Sequence, residues 1–219
     1  MAMRHHLLSR IRTIGGSPWT LVSKQYWTGS VSMGYGSTRP VMIFTAGAPG
    51  SGKTYTLHHL FGLDNVNMLD LDTVMPHHPE FDAAHKEKLY TRKDAYDWAN
   101  EQVELRFKQL CNYPFYADGR GKVVCFDGTG THVARQKRRM WDAKHAGFWV
   151  IQLYVHVTLD TCIDRNQKRD RTVPEDILRG YVEKLDAAVT ELRNEPGLVD
   201  EFIAVSLYTG RRPSWQKHT

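Results

Sequence analysis

The chain has 219 residues, 41% of them hydrophobic and 24% charged, which suits one folded domain and excludes a largely disordered chain. No apolar run approaches the roughly 20 residues of a membrane-spanning helix. The three cysteines have no C-x-x-C spacing, which argues against a zinc site and predicts reduced thiols in an intracellular, cytoplasmic protein. The net charge of +5 arises within residues 1–40, because the rest has 24 basic and 24 acidic residues. Bulk charge therefore gives little support to nucleic-acid binding.

Residues 1–39 are predicted to be a basic N-terminal extension. They contain no acidic residue, and Met3, Leu7 and Ile11 fall near one helical face. This composition is typical of an organelle-targeting segment, so a mitochondrial matrix or plastid location is the alternative to the cytoplasm. A flexible basic arm or an added packing element also fits the pattern. We expect the main domain over 40–210 and a short tail over 211–219.

Apolar runs and helical periodicities alternate along the main domain. Strands are predicted at Pro40–Ala46, Asn67–Leu71, Lys122–Phe126, Trp149–Val157 and Glu201–Leu207. Helices are predicted over Lys53–Phe61, in two pieces of 80–112 with Asp94 capping the second, over Thr131–His145, from about Asp160, and from Pro174 as a first helical residue. This alternation predicts an α/β three-layer sandwich, with a five-stranded, mainly parallel sheet, helices on both faces and a helical lid. Functional residues are expected at the carboxyl ends of the strands.

The glycine-rich turn after the first predicted strand fits G-x-x-x-x-G-K-S/T, the phosphate-binding loop (P-loop) of nucleotide-binding proteins. Its predicted nucleotide-binding residues are Gly47, Ala48, Pro49, Gly50, Ser51, Gly52, Lys53 and Thr54. Glycines let the backbone curl until several N–H groups converge on phosphate oxygens. Lys53 would contact the β- and γ-phosphates, and the Thr54 hydroxyl would bind Mg²⁺. The cofactors predicted here are ATP, or GTP, together with Mg²⁺.

Acidic residues follow the next two predicted strands. Asp70 and Asp72 come after the second strand, where a hydroxyl acceptor would meet the γ-phosphate and need a base. Asp127 follows the third strand and would lie near Mg²⁺ or bind the acceptor. The run Asp127–Gly130 also fits the D-x-x-G of GTPases, but no N-K-x-D for guanine occurs in the chain. A GTPase switch is therefore not expected.

Two basic clusters could serve phosphate chemistry. Arg165, Lys168, Arg169 and Arg171 precede Pro174, where small-molecule kinases close a lid whose arginines neutralise the transferred phosphoryl group. A solvated helix face is the alternative. The second cluster comprises Arg135, Lys137, Arg138 and Arg139, and such a run is more often a solvated face than a phosphate-binding track.

Two blocks resemble zeta-toxin-type P-loop kinases. Residues 70–81 resemble the family's D-x-D block with its later His-Pro pair, and 126–131 resemble its E-G-T block. With the P-loop and the arginines, the resemblance spans about 40–210. It implies a kinase that uses ATP or GTP to phosphorylate a sugar hydroxyl of UDP-N-acetylglucosamine. The small hydroxyl acceptor is thus expected to be a nucleotide sugar, and no antitoxin-like partner is visible in one chain.

The resemblance also implies site roles. Asp72 would be the general base, with Lys53, Arg165 and Arg171 as the other catalytic residues and Arg169 on the nucleotide. The predicted substrate-binding residues are Asp70, His78, Asp127 and Thr129. The chain departs from the family's pattern on the acceptor side, with Val74-Met75-Pro76 in place of a basic residue and Asp127 in place of Glu. A polynucleotide 5′-hydroxyl kinase and a non-catalytic nucleotide-binding regulator are the alternatives.

Overall fold

The computed structural model describes residues 19–25, 39–62, 66–168 and 172–207. Its strands are β1 (Trp19–Gln25), β2 (Val41–Ala46), β3 (Asn67–Leu69), β4 (Val123–Phe126), β5 (Trp149–Val157) and β6 (Glu201–Leu207). Its α-helices are α1 (Lys53–Phe61), α2 (Leu71–Val74), α3 (Lys86–Tyr90), α4 (Lys93–Asn112), α5 (Val133–His145), α6 (Leu159–Gln167) and α7 (Glu175–Asn194). A 3₁₀ turn at Met75–His77 follows α2 directly. No helix among the described residues is both long and apolar enough to cross a bilayer.

The strands form one sheet in the order β1-β6-β5-β2-β4-β3. The last five of these are all parallel to their neighbours, which confirms the predicted five-stranded parallel sheet. β1 lies in the predicted extension and pairs antiparallel with β6, so the sheet has a sixth, edge strand. The P-loop follows β2, the central strand of the parallel five, and β3 and β4 end on one side of it.

Helices cover both faces of the sheet because alternate residues of its central strands are apolar on each face. Met42 and Phe44 of β2 pack with buried residues of α4, α5 and the end of α7. Ile43 lies on the opposite face, with Leu57 of α1 and Cys162 of α6. The predicted three-layer arrangement is therefore present, and it leaves only the strand ends free to form a site.

Several predicted boundaries were wrong for local reasons. The second strand ends at Leu69, because Asp70 caps α2 and the predicted strand residue Leu71 is already helical. Asp94 is not the N-cap of α4, which starts at Lys93; Asp94 lies in its first turn, where Arg92 Nε donates to its Oδ1 at 3.1 Å. Pro174 is the N-cap of α7 rather than its first helical residue.

Helix α5 also begins later than predicted, at Val133. Gly130 precedes it with a φ of 77°, a left-handed conformation that glycine adopts without strain. A Cβ on Gly130 would stand 2.6 Å from the Ala46 Cβ, so the chain needs glycine where it crosses the end of β2. This crossing brings 128–130 against the beginning of the P-loop.

Candidate active site

The P-loop is curled tightly between β2 and α1. Gly50 and Gly52 have φ values of 80° and 92°, which L-residues with side chains rarely adopt. The Lys53 ammonium donates to the carbonyl oxygens of Gly47 at 3.0 Å and Ala48 at 3.4 Å, so its charge lies over the loop. Thr54 is exposed at the start of α1. The loop therefore has the curled backbone that the motif requires, and nucleotide binding by its residues stays a prediction.

The first part of the P-loop is fixed from the neighbouring strand. The Gly47 N–H donates to the Thr129 carbonyl at 3.0 Å, joining the loop to the turn after β4. A Cβ on Gly47 would lie 2.6 Å from Ser51 Oγ, so the loop closes on itself only with glycine there. Ser51 Oγ is buried and has no protein hydrogen-bond partner. It is a polar group inside the loop that is available to a bound ligand.

Helix α6 packs against the outer side of the P-loop. A Cβ on Gly50 would meet the Cys162 carbonyl oxygen at 3.0 Å and the Arg165 Cβ at 3.3 Å. Arg165 Nη1 donates to the Gly50 carbonyl at 3.4 Å. Of the predicted lid arginines, Arg165 therefore lies at the P-loop, and its role in phosphoryl transfer stays a prediction. Arg169 and Arg171 lie outside the described residues, so their roles remain predictions.

Asp127 is held at the end of β4 by Thr45, the buried penultimate residue of β2. The Thr45 hydroxyl donates to Asp127 Oδ1 at 2.5 Å and accepts from the Gly128 N–H at 2.9 Å. Thr45 is fully buried, so this bond is shielded from water. Thr45 was not among the predicted site residues, although a polar residue near the end of an apolar strand was a usable signal. The bond fixes one carboxylate oxygen of Asp127 beside the P-loop.

The turn after Asp127 is also ordered by side chains. Thr129 and Thr131 share a hydrogen bond between their hydroxyl oxygens at 3.1 Å. Thr129 is half-buried, and its carbonyl is the acceptor for Gly47. Thr129, a predicted substrate-binding residue, thus lies directly beside the first residue of the P-loop.

Asp70 and Asp72 lie at the start of α2, next to the end of β4. Asp70 Oδ1 accepts from the Thr73 N–H at 2.6 Å, which caps the helix. Burial raises the pKa of Asp70 above its ordinary value, and the nearby carboxylates of Asp127 and Asp72 raise this pKa further, against the lowering effect of the Thr73 N–H. Asp127 and Asp72 therefore both lie close enough to Asp70 to influence its pKa. Asp72 is exposed in the first turn of α2, where an acceptor could reach it.

His78 is oriented by two contacts. Its Nδ1 accepts from the Glu80 N–H at 3.1 Å, and its ring meets Trp98 edge-on with 4.8 Å between ring centroids. Because Nδ1 is an acceptor, a neutral His78 carries its proton on Nε2. Trp98, on α4, was not among the predicted site residues, because the sequence showed only that it lies in a helix and not that it faces His78. His78 is thus a fixed donor close to α2, as an acceptor pocket would need.

The second basic cluster is mostly structural. Arg139 Nε donates to Glu104 Oε1 at 2.7 Å, and Arg138 Nη2 reaches the same oxygen at 3.1 Å. Lys137 pairs with Glu195 at 2.7 Å, so these cations attach α5 to α4 and α7. The expected solvated face is therefore wrong at Arg139, whose side chain is buried against Glu104.

Mg²⁺ needs only one or two protein carboxylates or hydroxyls when it also binds phosphate oxygens. No group of three or more His, Cys, Asp or Glu side chains suited to a metal occurs in the part of the chain that the structure describes. Thr54 at the start of α1 and the Thr45-anchored Asp127 provide hard oxygen donors of the type that Mg²⁺ prefers. The site therefore fits a metal bound mainly through a nucleotide.

Comparisons with known proteins extend this picture. A sequence search of curated proteins finds no match. The PezAT chromosomal toxin–antitoxin system of Streptococcus pneumoniae contains a similar chain, with 20% identity, a TM-score of 0.52, and coverage of 77% of this chain and 67% of that one. A chain of the AvrRxo1-ORF1:AvrRxo1-ORF2 complex with sulphate ions has 12% identity and a TM-score of 0.55, over 77% of this chain and 55% of that one.

The same complex solved with ATP gives a TM-score of 0.51 at 13% identity, over 73% of this chain and 52% of that one. This chain thus spans about half the length of the matched AvrRxo1 chains, and identities this low show the fold alone. The family evidence is stronger, because the model of the Zeta toxin family matches residues 31–210, most of the chain. With the parallel sheet, the P-loop and the strand-end acids in place, the chain belongs to the Zeta toxin family of P-loop kinases.

Proposed function

We propose that this protein is an ATP- and Mg²⁺-dependent kinase that transfers the γ-phosphate to a hydroxyl group. The observation that carries this proposal is the meeting of three strand ends at one place. The P-loop with Lys53 follows β2, Asp127 bonded to Thr45 follows β4, and Asp72 follows β3. Phosphoryl transfer requires these parts side by side: a phosphate cradle, a metal-binding acid and a base for the acceptor.

Each residue has a distinct task in the proposed reaction. The loop amides and Lys53 hold the phosphates, which fixes the γ-phosphate for in-line attack. Asp72 accepts the proton from the acceptor hydroxyl, and its exposure gives that hydroxyl access. Arg165 lies at Gly50, on the opposite side of the loop from the β3 and β4 ends, and would stabilise negative charge on the phosphates.

Thr54 and Asp127 would hold Mg²⁺ together with phosphate oxygens, and the ion would neutralise charge on the transferring group. ATP as the donor is supported by the structural neighbour that was solved with ATP. GTP is the alternative donor, since the described residues include no feature that selects one base.

UDP-N-acetylglucosamine is the acceptor that we rank first, because of the family. The fixed Nε2–H of His78 and the hydroxyl of Thr129 would suit a polar, hydroxyl-rich ligand. A polynucleotide 5′-hydroxyl ranks second, and the structure weakens it by using Lys137, Arg138 and Arg139 in ion pairs.

The decisive experiment incubates the protein with γ-labelled ATP and Mg²⁺ and offers UDP-N-acetylglucosamine and 5′-hydroxyl oligonucleotides separately. Label on the nucleotide sugar supports our first choice, and label only on the oligonucleotide overturns it. Asp72→Asn should reduce transfer by about 100-fold or more while retaining ATP binding, because only the base is removed. Lys53→Met, the matched control, should weaken nucleotide binding as well.

A non-catalytic nucleotide-binding regulator is the competing function. It predicts ATP binding without transfer to any member of a broad panel of hydroxyl compounds and without ATP hydrolysis. The presence of Lys53, Thr54 and Asp72 in one site favours the kinase over this alternative.

A further inference from the structure

Helix α1 has an exposed stripe that begins beside the P-loop. The exposed residues of this helix are Thr54, Tyr55, His58 and His59. They recur four positions apart, so they lie along one side of the helix, whereas Leu57 is fully buried in the core. The stripe therefore starts with Thr54, the proposed Mg²⁺ ligand, and continues directly with an aromatic side chain.

Tyr55 and His59 lie one helical turn apart and contact each other. Their ring centroids are 3.9 Å apart, and their planes are inclined by 33°. His59 Nδ1 donates to the Tyr55 carbonyl at 3.0 Å, since a carbonyl oxygen can only accept. The His59 ring is thus held by the helix backbone and lies against the Tyr55 ring, while Tyr55 keeps 41% relative exposure.

The path of a bound nucleotide indicates what this aromatic pair would contact. Its phosphates would bind the P-loop and the first N–H groups of α1. In the proposed reaction the γ-phosphate faces Asp72 and Asp127, and the nucleoside is attached at the opposite end of the phosphate chain. Tyr55 lies in the first turn of α1 and is exposed there, so its ring borders the phosphate site.

We propose that Tyr55, supported by His59, is a stacking platform for the base of the donor nucleotide. The inference rests on the nucleotide-binding part of the proposed function and gives a role to two residues that had none. Aromatic side chains stack on bases of any identity, because every base has a π-face. Stacking would therefore hold the nucleoside without selecting adenine or guanine, and ATP and GTP would bind similarly.

The test separates binding of the base from binding of the phosphates. Isothermal titration calorimetry with Mg²⁺ compares ATP, GTP and inorganic tripolyphosphate, which has neither base nor ribose. We expect Tyr55→Leu to weaken ATP and GTP about tenfold each and to change tripolyphosphate affinity by less than about twofold, because only one base–aromatic stack is lost. Tyr55→Phe keeps the ring and should bind ATP as the wild type does.

His59→Leu tests the support of the platform, because it removes the second ring and retains an apolar side chain. We expect ATP affinity to fall about threefold, as the Tyr55 ring loses its aromatic neighbour. Wild-type ATP affinity in this variant would overturn the supporting role of His59.

Tyr113→Leu is the matched control for an exposed tyrosine. Tyr113 is 70% exposed, and Lys122, the residue before β4, donates to its carbonyl at 2.6 Å. Because β4 runs parallel to β2, Tyr113 lies at the amino ends of the strands, away from the P-loop. All three affinities should therefore stay unchanged, and thermal unfolding of each variant confirms that it is folded.

Two results would overturn the inference. Wild-type ATP affinity in Tyr55→Leu would show that Tyr55 is an ordinary surface residue. Equal losses for ATP and tripolyphosphate would show that the substitution had disturbed the P-loop and not the contact with the base.

Failure of the inference is distinguishable from failure of the proposed function. A wild type that binds ATP with the expected dependence on Tyr55 but transfers no phosphate would overturn the kinase and support the platform. A wild type that binds neither nucleotide would overturn both.

Discussion

At the scale of single residues, the site depends on groups that support the reactive ones. Thr45 has no contact with a substrate in the proposed mechanism, yet its hydroxyl orients Asp127 and satisfies the Gly128 N–H. Thr45 is fully buried, so its hydroxyl has these two groups, and not water, as its partners. The orientation of Asp127, the proposed metal-binding acid, is therefore fixed by Thr45, the residue before the last one of β2.

Thr45→Val tests this dependence, since valine has nearly the same shape and no hydroxyl. We expect a loss of about 1–3 kcal/mol in the free energy of unfolding, measured by urea denaturation, because buried polar groups lose their partner. Phosphoryl transfer should also fall at least tenfold, with a higher Mg²⁺ requirement. Thr45→Ser keeps the hydroxyl and should retain most activity; a Ser variant as impaired as the Val variant would contradict the role of the hydrogen bond.

Asp70 is a second residue whose environment can be tested. Its pKa is raised above the ordinary 3.8 by burial and by its acidic neighbours. Between pH 3.8 and the pKa of Asp70 in the folded state, the folded protein keeps this proton while the unfolded chain has released it. The contribution of Asp70 to the free energy of unfolding therefore decreases as pH rises through that range.

Asp70→Asn removes the titration and keeps an oxygen for the Thr73 N–H. We expect the variant to match the wild type in acid and to become the more stable of the two as pH rises towards neutrality. Urea denaturation across that pH range measures the difference. A difference that does not change with pH would contradict the electrostatic explanation.

At the scale of elements, the basic residues of α5 hold this helix against α4. Glu104 of α4 receives both Arg138 and Arg139, and the Arg139 guanidinium also stacks over Phe126 at 4.0 Å. Burial lowers the pKa of Arg139, while Glu104 opposes that shift. The pair fixes α4 and α5 on the same face of the sheet.

Glu104→Gln should therefore destabilise the protein by about 3 kcal/mol, because a buried guanidinium loses its counter-charge. Thermal or urea unfolding measures the change. The matched control is Asp97→Asn, which breaks the exposed pair with Lys93 on the same helix and should leave the midpoint almost unchanged. Equal effects from the two substitutions would contradict the importance of burial.

The elements also show what could be predicted from the sequence. The boundaries of α1, β5 and β6 agree with the predictions, because glycines or clear apolar runs mark them. The failures lie where a side chain decides a boundary: Asp70 caps α2 and ends the predicted strand early. Thr45 and Asp127 are 82 residues apart, so a local pattern could mark Thr45 as unusual but could not identify its partner.

At the scale of the whole molecule, the parallel five-stranded sheet was predicted from the sequence, but its antiparallel edge strand was not. Alternating strands and helices indicated the parallel five, whereas β1 lies among residues whose basic composition indicated an extension. β1 covers the outer edge of β6, which carries the buried residues Ile203, Ala204 and Val205. An uncovered strand edge can pair with another chain.

Deletion of residues 2–25 should thus lower the unfolding temperature and cause self-association, seen by light scattering. Deletion of 2–18 is the control, since it keeps β1, and it should remain similar to the full chain. If the longer deletion associates no more than the full chain and is equally stable, β1 is not needed to protect the edge.

The burial of the three cysteines has a practical consequence for labelling. Burial raises the pKa of Cys111 to about 12 and that of Cys162 to about 11, and it raises the pKa of Cys125 well above its ordinary value. At neutral pH, about one thiol in ten thousand or fewer is then the reactive thiolate at Cys111 and Cys162. A single exposed cysteine introduced at Thr172 would react first with a maleimide dye, without removal of the native thiols. Fluorescence from that dye would then report on the start of α7 as nucleotide is added.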